Sequence, residues 1–426
     1  MSFGIILVAV MVLLMIASIP IGFAIILASI FGLWHADLLL IIVPQKLFQS
    51  LDYESLLALP LFILAGNIME AAGISRRLVE FAKSIVGGVQ GGLPLSCVVT
   101  CMIFAAVSGS SVATTFAVGS ILIPALVQHG YPRPFAASVQ ATSAELGVII
   151  PPSIPMILYG VTAEVSIGEL FIAGIGPGVL IGLSLLAYVF IWCRVTGHGL
   201  EDRKERLPFS KAVVQAAFPL GMPVLILGGI YGGIFTPTEA AAVAVIYALI
   251  LGVFVYRQIG FADIARVFER SLLSTSVIML IIAAAGLFGY LVTLSGAPTM
   301  LTGWLIEFFH AQWSFLLAIT VFLFIVGMFF ETSAAILILV PILAPAATAF
   351  GIDPIHFGIL MIVNLALGMV TPPFGVNLFA ASAVANVRVE HMIRSLVPFV
   401  LVVLACLFVI AYVPAVPLFL RDLAFR

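Results

Sequence analysis

Ser108-Gly109-Ser110-Ser111 interrupts one apolar run, and Leu146-Gly147-Val148-Ile149-Ile150-Pro151-Pro152 breaks the next. Both features recur. Residues 108–177 align without a gap on residues 329–398, a shift of 221 positions that sets Ser110 on Glu331, Pro124-Ala125 on Pro345-Ala346, Leu146-Gly147 on Leu367-Gly368, Pro151-Pro152 on Pro372-Pro373 and Pro177 on Pro398. Each unit pairs a small or polar interruption with a Pro-Pro break some forty residues later, both inside sequence apolar enough to sit in lipid. Non-helical backbone at membrane depth is tolerated only where protein buries it or it lines a cavity. The repeated pattern therefore reads as a binding site.

The surrounding composition fits a lipid solvent. The 426 residues are 63% hydrophobic and 8% charged, with mean hydropathy +1.30, whereas a soluble domain carries about a quarter charged residues. The class is an all-α polytopic membrane protein. The 37 Gly and 24 Pro are tolerable in membrane helices whose neighbours re-satisfy freed backbone groups. Cys97, Cys101, Cys193 and Cys406 lie in or beside apolar runs and read as small core residues, with no His or acid at metal-ligand spacing. A net charge of −2 gives no hint of nucleic acid. The apolar run 3–34 lacks a preceding basic region and is far longer than a signal-peptide core, so it reads as a retained span.

With about 20 apolar residues per crossing, full crossings fall near 4–33, 55–73, 134–162, 170–193, 212–234, 236–256, 271–296, 355–383 and 394–418. The stretches 88–129 and 311–350 are broken at mid-length by Ser108-Gly109-Ser110-Ser111 and Glu331-Thr332-Ser333, and read as re-entrant hairpins. With the N-terminus cytoplasmic and the C-terminus periplasmic, fourteen of the 17 Lys and Arg fall on the cytoplasmic side, leaving Lys46, Arg421 and Arg426 outside. The positive-inside rule asks for that bias. It would collapse if either hairpin were a full crossing. The two units are then inverted, and inverted repeats with broken helices are the signature of secondary transporters.

The organisation follows: scaffold spans and a cytoplasmic arm helix over 1–87, repeat one over 88–169, scaffold spans over 170–296 with a polar linker at 196–211, an outer arm and repeat two over 297–393, and a last scaffold span over 394–426. Residues 74–90 are amphipathic and too polar to cross, so they lie along the cytoplasmic surface. Asn67 and Glu70 read as capping the end of their span, and Thr236-Pro237-Thr238-Glu239 as a helix start with a capping box.

The chemistry sits at the tips and breaks. A helix broken in the membrane exposes N–H groups at one end and carbonyls at the other. Paired prolines supply no donor, which predicts unpartnered carbonyls at Gly147, Ile150, Gly368 and Thr371. Ser108, Ser110, Ser111, Thr114 and Thr115 in one tip, and Glu331, Thr332 and Ser333 in the other, add side-chain oxygens. An oxygen-only set suits a small hard cation, and one Na⁺ per tip and break flanking a central substrate site is the expectation. Thr114, Thr115, Ser153 and Asn377 are candidate substrate contacts. Glu145, Asn364 and Asn377 are weaker candidates near the breaks, and Glu331 serves either the second cation or a hydrogen-bond network. A lone Ser-Gly-Ser-Ser is usually helix packing and a lone Pro-Pro a kink; both together, twice at one offset, favour function.

These segments, with Gly-Gly-Ile-Phe-Thr-Pro-Thr-Glu-Ala at 232–240 and Gly-Met-Val-Thr-Pro-Pro-Phe-Gly-Val-Asn at 368–377, resemble the large membrane subunit of tripartite ATP-independent periplasmic (TRAP) transporters across essentially the whole chain. The resemblance implies Na⁺-coupled uptake of a small organic acid, such as a C4-dicarboxylate, another carboxylate or sialic acid, by elevator motion in the bacterial inner membrane. It implies a periplasmic binding protein and a separate small four-helix membrane subunit. It puts cation site one on Ser108, Gly109, Ser110, Ser111, Gly147, Ile150 and Pro152, and site two on Glu331, Thr332, Ser333, Gly368, Thr371 and Pro373. Nothing in the residues fixes the substrate. The rivals are a stand-alone Na⁺/dicarboxylate symporter, a channel, for which no pore motif is present, and an intramembrane enzyme, for which no nucleophile or metal motif lies at membrane depth.

Overall fold

The computed structural model describes residues 3–200 and 208–425, and every regular element among them is helical. The chain opens with α1 (Phe3–Ile16), α2 (Ile21–His35), α3 (Ile42–Gln49), α4 (Ala58–Ala71) and α5 (Ile74–Val86). Repeat one is α6 (Gly92–Ser108), α7 (Ser111–Gln128), α8 (Arg133–Ala144), α9 (Leu146–Ile149) and α10 (Ile154–Thr162). Then come α11 (Ile167–Thr196), α12 (Phe209–Tyr231), α13 (Pro237–Leu249), which runs on into a π turn, α14 (Phe261–Leu294) and α15 (Ala297–Phe308). Repeat two is α16 (Gln312–Phe329), α17 (Thr332–Ala349), α18 (Pro354–Met369) and α19 (Val376–Ala385), followed by α20 (Val389–Tyr412) and α21 (Ala415–Ala424). Of the linker expected over 196–211, residues 201–207 lie outside the described residues.

Both interrupted stretches fold back on themselves. In the first, one side chain touches both limbs: Gln140 of α8 accepts from Cys97 Sγ (3.0 Å) on α6 and donates to the Thr114 carbonyl (3.2 Å) on α7. In the second, Phe315 near the start of α16 stacks at 4.3 Å on Phe350 just past the end of α17, closing the mouth of the hairpin. Among the described residues nine helices are long and apolar enough to cross a membrane, but 111–128, 312–329 and 332–349 are limbs of these hairpins. Span 134–162 is broken as expected, bending by 41° between its two parts. Span 355–383 is broken between α18 and α19.

Two expected crossings are different. The run 4–33 is two helices, α1 and α2, of 14 and 15 residues. Pro20 disfavours helix at Ile19 and Ser18 takes a left-handed φ of 64°, so the chain turns. Phe3 then stacks on His35 at 6.4 Å, and a Cβ on Gly32 would lie 2.6 Å from Leu7 Cδ2. At 1.5 Å per residue each limb is about 22 Å long, short of the roughly 30 Å hydrocarbon core. The expected cytoplasmic N-terminus rested on that crossing. The run 394–418 likewise ends at Tyr412, and beyond Pro414 the amphipathic α21 lies on α11, its Val416 carbonyl where a Cβ on Gly176 would clash at 2.3 Å.

The supporting elements follow local chemistry. α5 buries Ile74, Leu78, Val79 and Ala82 on one face and packs against α6 and α12. The capping box at α13 forms, with Thr236 Oγ1 accepting from Glu239 N (3.2 Å) and Glu239 Oε2 from Thr236 N (2.8 Å). Asn67 and Glu70 do not cap α4. They reach across to α14, where Asn67 donates to Ser271 (2.8 Å) and Glu70 lies 3.8 Å from Arg270.

Candidate functional site

At the first tip, Gly109 takes a left-handed φ of 63°, which ends α6 and lets Ser110 turn outward to cap α7 through the Ala113 N–H. A Cβ on Gly109 would sit 2.9 Å from the Pro152 carbonyl, so glycine is also what allows tip and break to touch. The Ser110 carbonyl accepts from Ser108 Oγ (3.0 Å) and Thr114 Oγ1 (2.7 Å). Gly147 lies directly beneath: a Cβ there would be 2.8 Å from both the Ser110 carbonyl and Thr114 Oγ1. Ile154 N–H donates to the Gly109 carbonyl at 3.3 Å, joining break to tip.

Break one shows how its carbonyls are handled. Pro151 and Pro152, joined by a cis bond, cannot donate to the carbonyls of Gly147 and Val148. Ser153 Oγ replaces one missing donor, reaching Val148 O at 2.6 Å. Among the described residues none donates to the Gly147 carbonyl. The Ile150 side chain packs into the space above Gly178 of α11, leaving its carbonyl as its only polar offer.

The second tip and break use other means. Glu331 replaces Ser110 as cap of α17, its Oε2 accepting from Ser333 N (2.9 Å) and Ala334 N (3.2 Å) and its Oε1 from Ser333 Oγ (2.9 Å). A carboxylate there also faces the positive end of α17. Thr332 Oγ1 meets Met369 Sδ at 2.9 Å, and Phe374 N–H donates to the Met328 carbonyl at 3.2 Å. The Gly368 carbonyl is not stranded: Thr371 N–H folds back to it at 2.9 Å, while Thr371 Oγ1 takes the Leu367 carbonyl. No described residue donates to the Thr371 carbonyl. Pro373, also after a cis bond, and Phe374 are exposed, whereas Pro152 and Ser153 are buried.

Because Ser110 and Glu331 cap equivalent helices, Glu331→Ser should keep α17 intact, whereas Glu331→Ala should cost about 0.5 to 2 kcal/mol. Thermal unfolding of both variants in detergent checks this; equal losses would mean that the carboxylate does more than cap.

The four candidate substrate contacts each carry an internal bond. Thr114 binds Ser110, and Ser153 binds Val148 while capping α10. Thr115 bonds the Ser111 carbonyl and lies 3.4 Å from Asn377 Oδ1, and Asn377 Nδ2 donates to Glu145 Oε1. The last three side chains form a buried polar chain from repeat one to repeat two, and Glu145 Oε2 has no partner among the described residues. Asn364 donates to Leu360, but its Oδ1 is unpartnered. Gln140, which organises hairpin one, was not singled out from the sequence. A lone Gln in an apolar span opposite Cys97 and Cys101 is the signal that could have found it.

Residues 7–416, which include both tips and both proline breaks, match the family described as "Tripartite ATP-independent periplasmic transporter, DctM component". The chain belongs to the DctM family. Among its relatives, the isethionate TRAP transporter permease protein DctMQ of Oleidesulfovibrio alaskensis is 43% identical over 409 residues, 96% of this chain and 64% of the relative, so the chain spans less than two thirds of that protein. The C4-dicarboxylate TRAP transporter large permease protein DctM of Pseudomonas aeruginosa is 44% identical over 377 residues, 88% of each. The sialic acid TRAP transporter large permease protein SiaM of Vibrio cholerae is 34% identical over 411 residues, 96% of each. A solved structure, the Alcanivorax borkumensis YdaH transporter, superposes with a TM-score of 0.61 over 86% of this chain and 87% of its own, at 15% identity, a likeness of fold alone. This DctM-family chain is thus a multi-pass transporter permease and not an enzyme.

Proposed function

We propose that this DctM-family chain is the large permease of a Na⁺-coupled system that takes up a small organic acid across the bacterial inner membrane. The observation that carries the reading is that both tips lie on their own breaks, with close glycine contacts at Gly147 and Gly368. Related permeases are named for C4-dicarboxylates, isethionate, sialic acid and ectoine, all small molecules carrying an acid group. A periplasmic binding protein delivers the acid, and a small membrane subunit braces the frame.

The residues fit a hard cation. Around Gly147 the Ser110 carbonyl, the Gly147 carbonyl and the tip hydroxyls offer neutral oxygens, the donor type that suits alkali and alkaline-earth ions rather than soft metals. Site two offers Thr332, Ser333 and the Thr371 carbonyl, with the Glu331 charge already committed to the helix start. The hairpins and broken helices slide as one body, welded by the Thr115–Asn377–Glu145 chain and by Tyr159 Oη donating to the Pro354 carbonyl at 2.7 Å. Bound Na⁺ offsets the cost of carrying a carboxylate through a low-dielectric layer. The fold-back of α1 on α2 puts Phe3 on the same side as residues 36–53, which the basic-residue count makes the outer side.

Uptake of labelled succinate, isethionate and sialic acid into proteoliposomes holding this chain and its small subunit tests the reading, with Na⁺ gradient and purified binding protein each supplied or omitted. Accumulation that needs both supports it. Accumulation with Na⁺ alone makes the chain a self-contained symporter, and saturation-free flux without accumulation makes it a channel. In the same vesicles Ser111→Ala and Thr332→Ala should each raise the half-saturating Na⁺ concentration about tenfold, the equivalent of about 1.4 kcal/mol. Unchanged Na⁺ activation in both would remove the tips from the ion sites.

A further inference from the structure

A cavity of about 360 Å³ opens between α3 and α14 on one wall and α10 and α17 on the other. The first wall belongs to the part read above as frame, the second to the moving body. Lys46 projects into it from α3, its Nζ 4.5 Å from the Tyr290 ring centre and donating to Gln49 Oε1 at 2.8 Å. No ion pair reaches Lys46 among the described residues. The other described basic side chain on the outer side, Arg421, is neutralised: Asp353 lies 2.9 Å and Asp422 2.7 Å from its guanidinium. Among the described residues, an organic anion arriving from outside therefore meets one uncompensated cation, Lys46.

Two of the helices that line the cavity also carry the candidate ion sites. Leu337 in its wall lies five residues into α17 from Thr332, about 8 Å along the helix from the second tip. Thr162 closes α10, the helix that starts at break one. Tyr290, Thr162 and Thr293 add hydroxyls, and the moving wall contributes one acid, Glu164.

We infer that Lys46 is the frame-side receptor for the substrate's anionic acid group, holding the anion at the outer junction before the moving body takes it inward. This rests on the organic-acid reading above. A fixed ammonium on the frame orients the acid group without travelling with it, and the Tyr290 ring and Gln49 keep the long side chain in place, which limits the entropy lost on binding. Glu164 lies on the opposite wall and repels the same ligand.

The test is uptake kinetics of succinate, isethionate and sialic acid in the complete system. For whichever acid the wild type accumulates, Lys46→Gln should raise KM about tenfold with kcat held within about twofold, and Glu164→Gln should leave KM unchanged or lower it. Lys46→Cys guards against a folding artefact. The native cysteines are buried, so the introduced thiol can be modified selectively, and 2-aminoethyl methanethiosulfonate, which restores an ammonium, should recover the KM while the sulfonatoethyl reagent should not. A wild-type KM in Lys46→Gln, equal losses in the Lys46 and Glu164 variants, or equal effects of the two reagents overturns the inference and leaves the transport reading standing. No accumulation of any of the three acids by the wild type overturns both.

Discussion

Gly368→Ala is expected to reduce uptake to background while the protein still inserts. A Cβ on Gly368 would lie 2.3 Å from the carbonyl carbon and 2.4 Å from the Cα of Gly327. Both obstacles are backbone, so no rotamer change relieves them. α16 must move away from α18, and with it the second tip leaves its break. Overpacking of this kind costs about 1 to 3 kcal/mol, while the separation itself pulls Thr332 from Met369 and Phe374 from Met328. Gly147→Ala should be milder: of the three atoms its Cβ would meet, the Ser110 carbonyl oxygen and carbon lie no nearer than 2.8 Å and the third, Thr114 Oγ1, can turn away. Proteoliposome uptake beside a thermal-unfolding curve checks both. Near-normal transport by the Gly368 variant would mean that tip and break need not touch.

Asn377→Ala should be the most destabilising polar substitution in the chain. Asn377 is fully buried and donates to Glu145, which is 3% exposed and has no other hydrogen-bond partner among the described residues. Truncation leaves the Glu145 carboxyl buried with neither oxygen bonded, a loss of about 3 kcal/mol or more. Glu145→Gln should be tolerated better, since its amide oxygen can still accept from Asn377. A double-mutant cycle on thermal stability with Glu145→Ala separates the pair from the sites' general fragility. Additive losses would show that the two side chains do not depend on one another.

Most of this architecture was legible because it was written twice. The 221-position repeat located both hairpins, both breaks and their pairing without reference to any neighbour. The first crossing misled because hydropathy cannot distinguish one long helix from two short ones; only Ser18 and Pro20 marked the turn. The carbonyl of Gly368 misled for a related reason. Losing the donor of Pro372 does not strand an acceptor when Thr371 can bend back to it. What no local pattern could disclose is the meeting of Glu145, Thr115 and Asn377. Their repeat counterparts are Ala366, Ile336 and Met156, so the duplication that revealed the hairpins and breaks is silent where the two copies have diverged to bind each other.

That polar chain also imposes an order on biogenesis. Glu145 and Asn377 are separated by 232 positions, and at about 5 to 20 residues per second a ribosome needs roughly 10 to 50 s to bridge the interval. Through that time the first copy is already in the lipid with its acid lacking the amide that will hold it. The nascent first half is therefore a client awaiting its second, and a chain arrested between the two copies should be a ready substrate for membrane proteases.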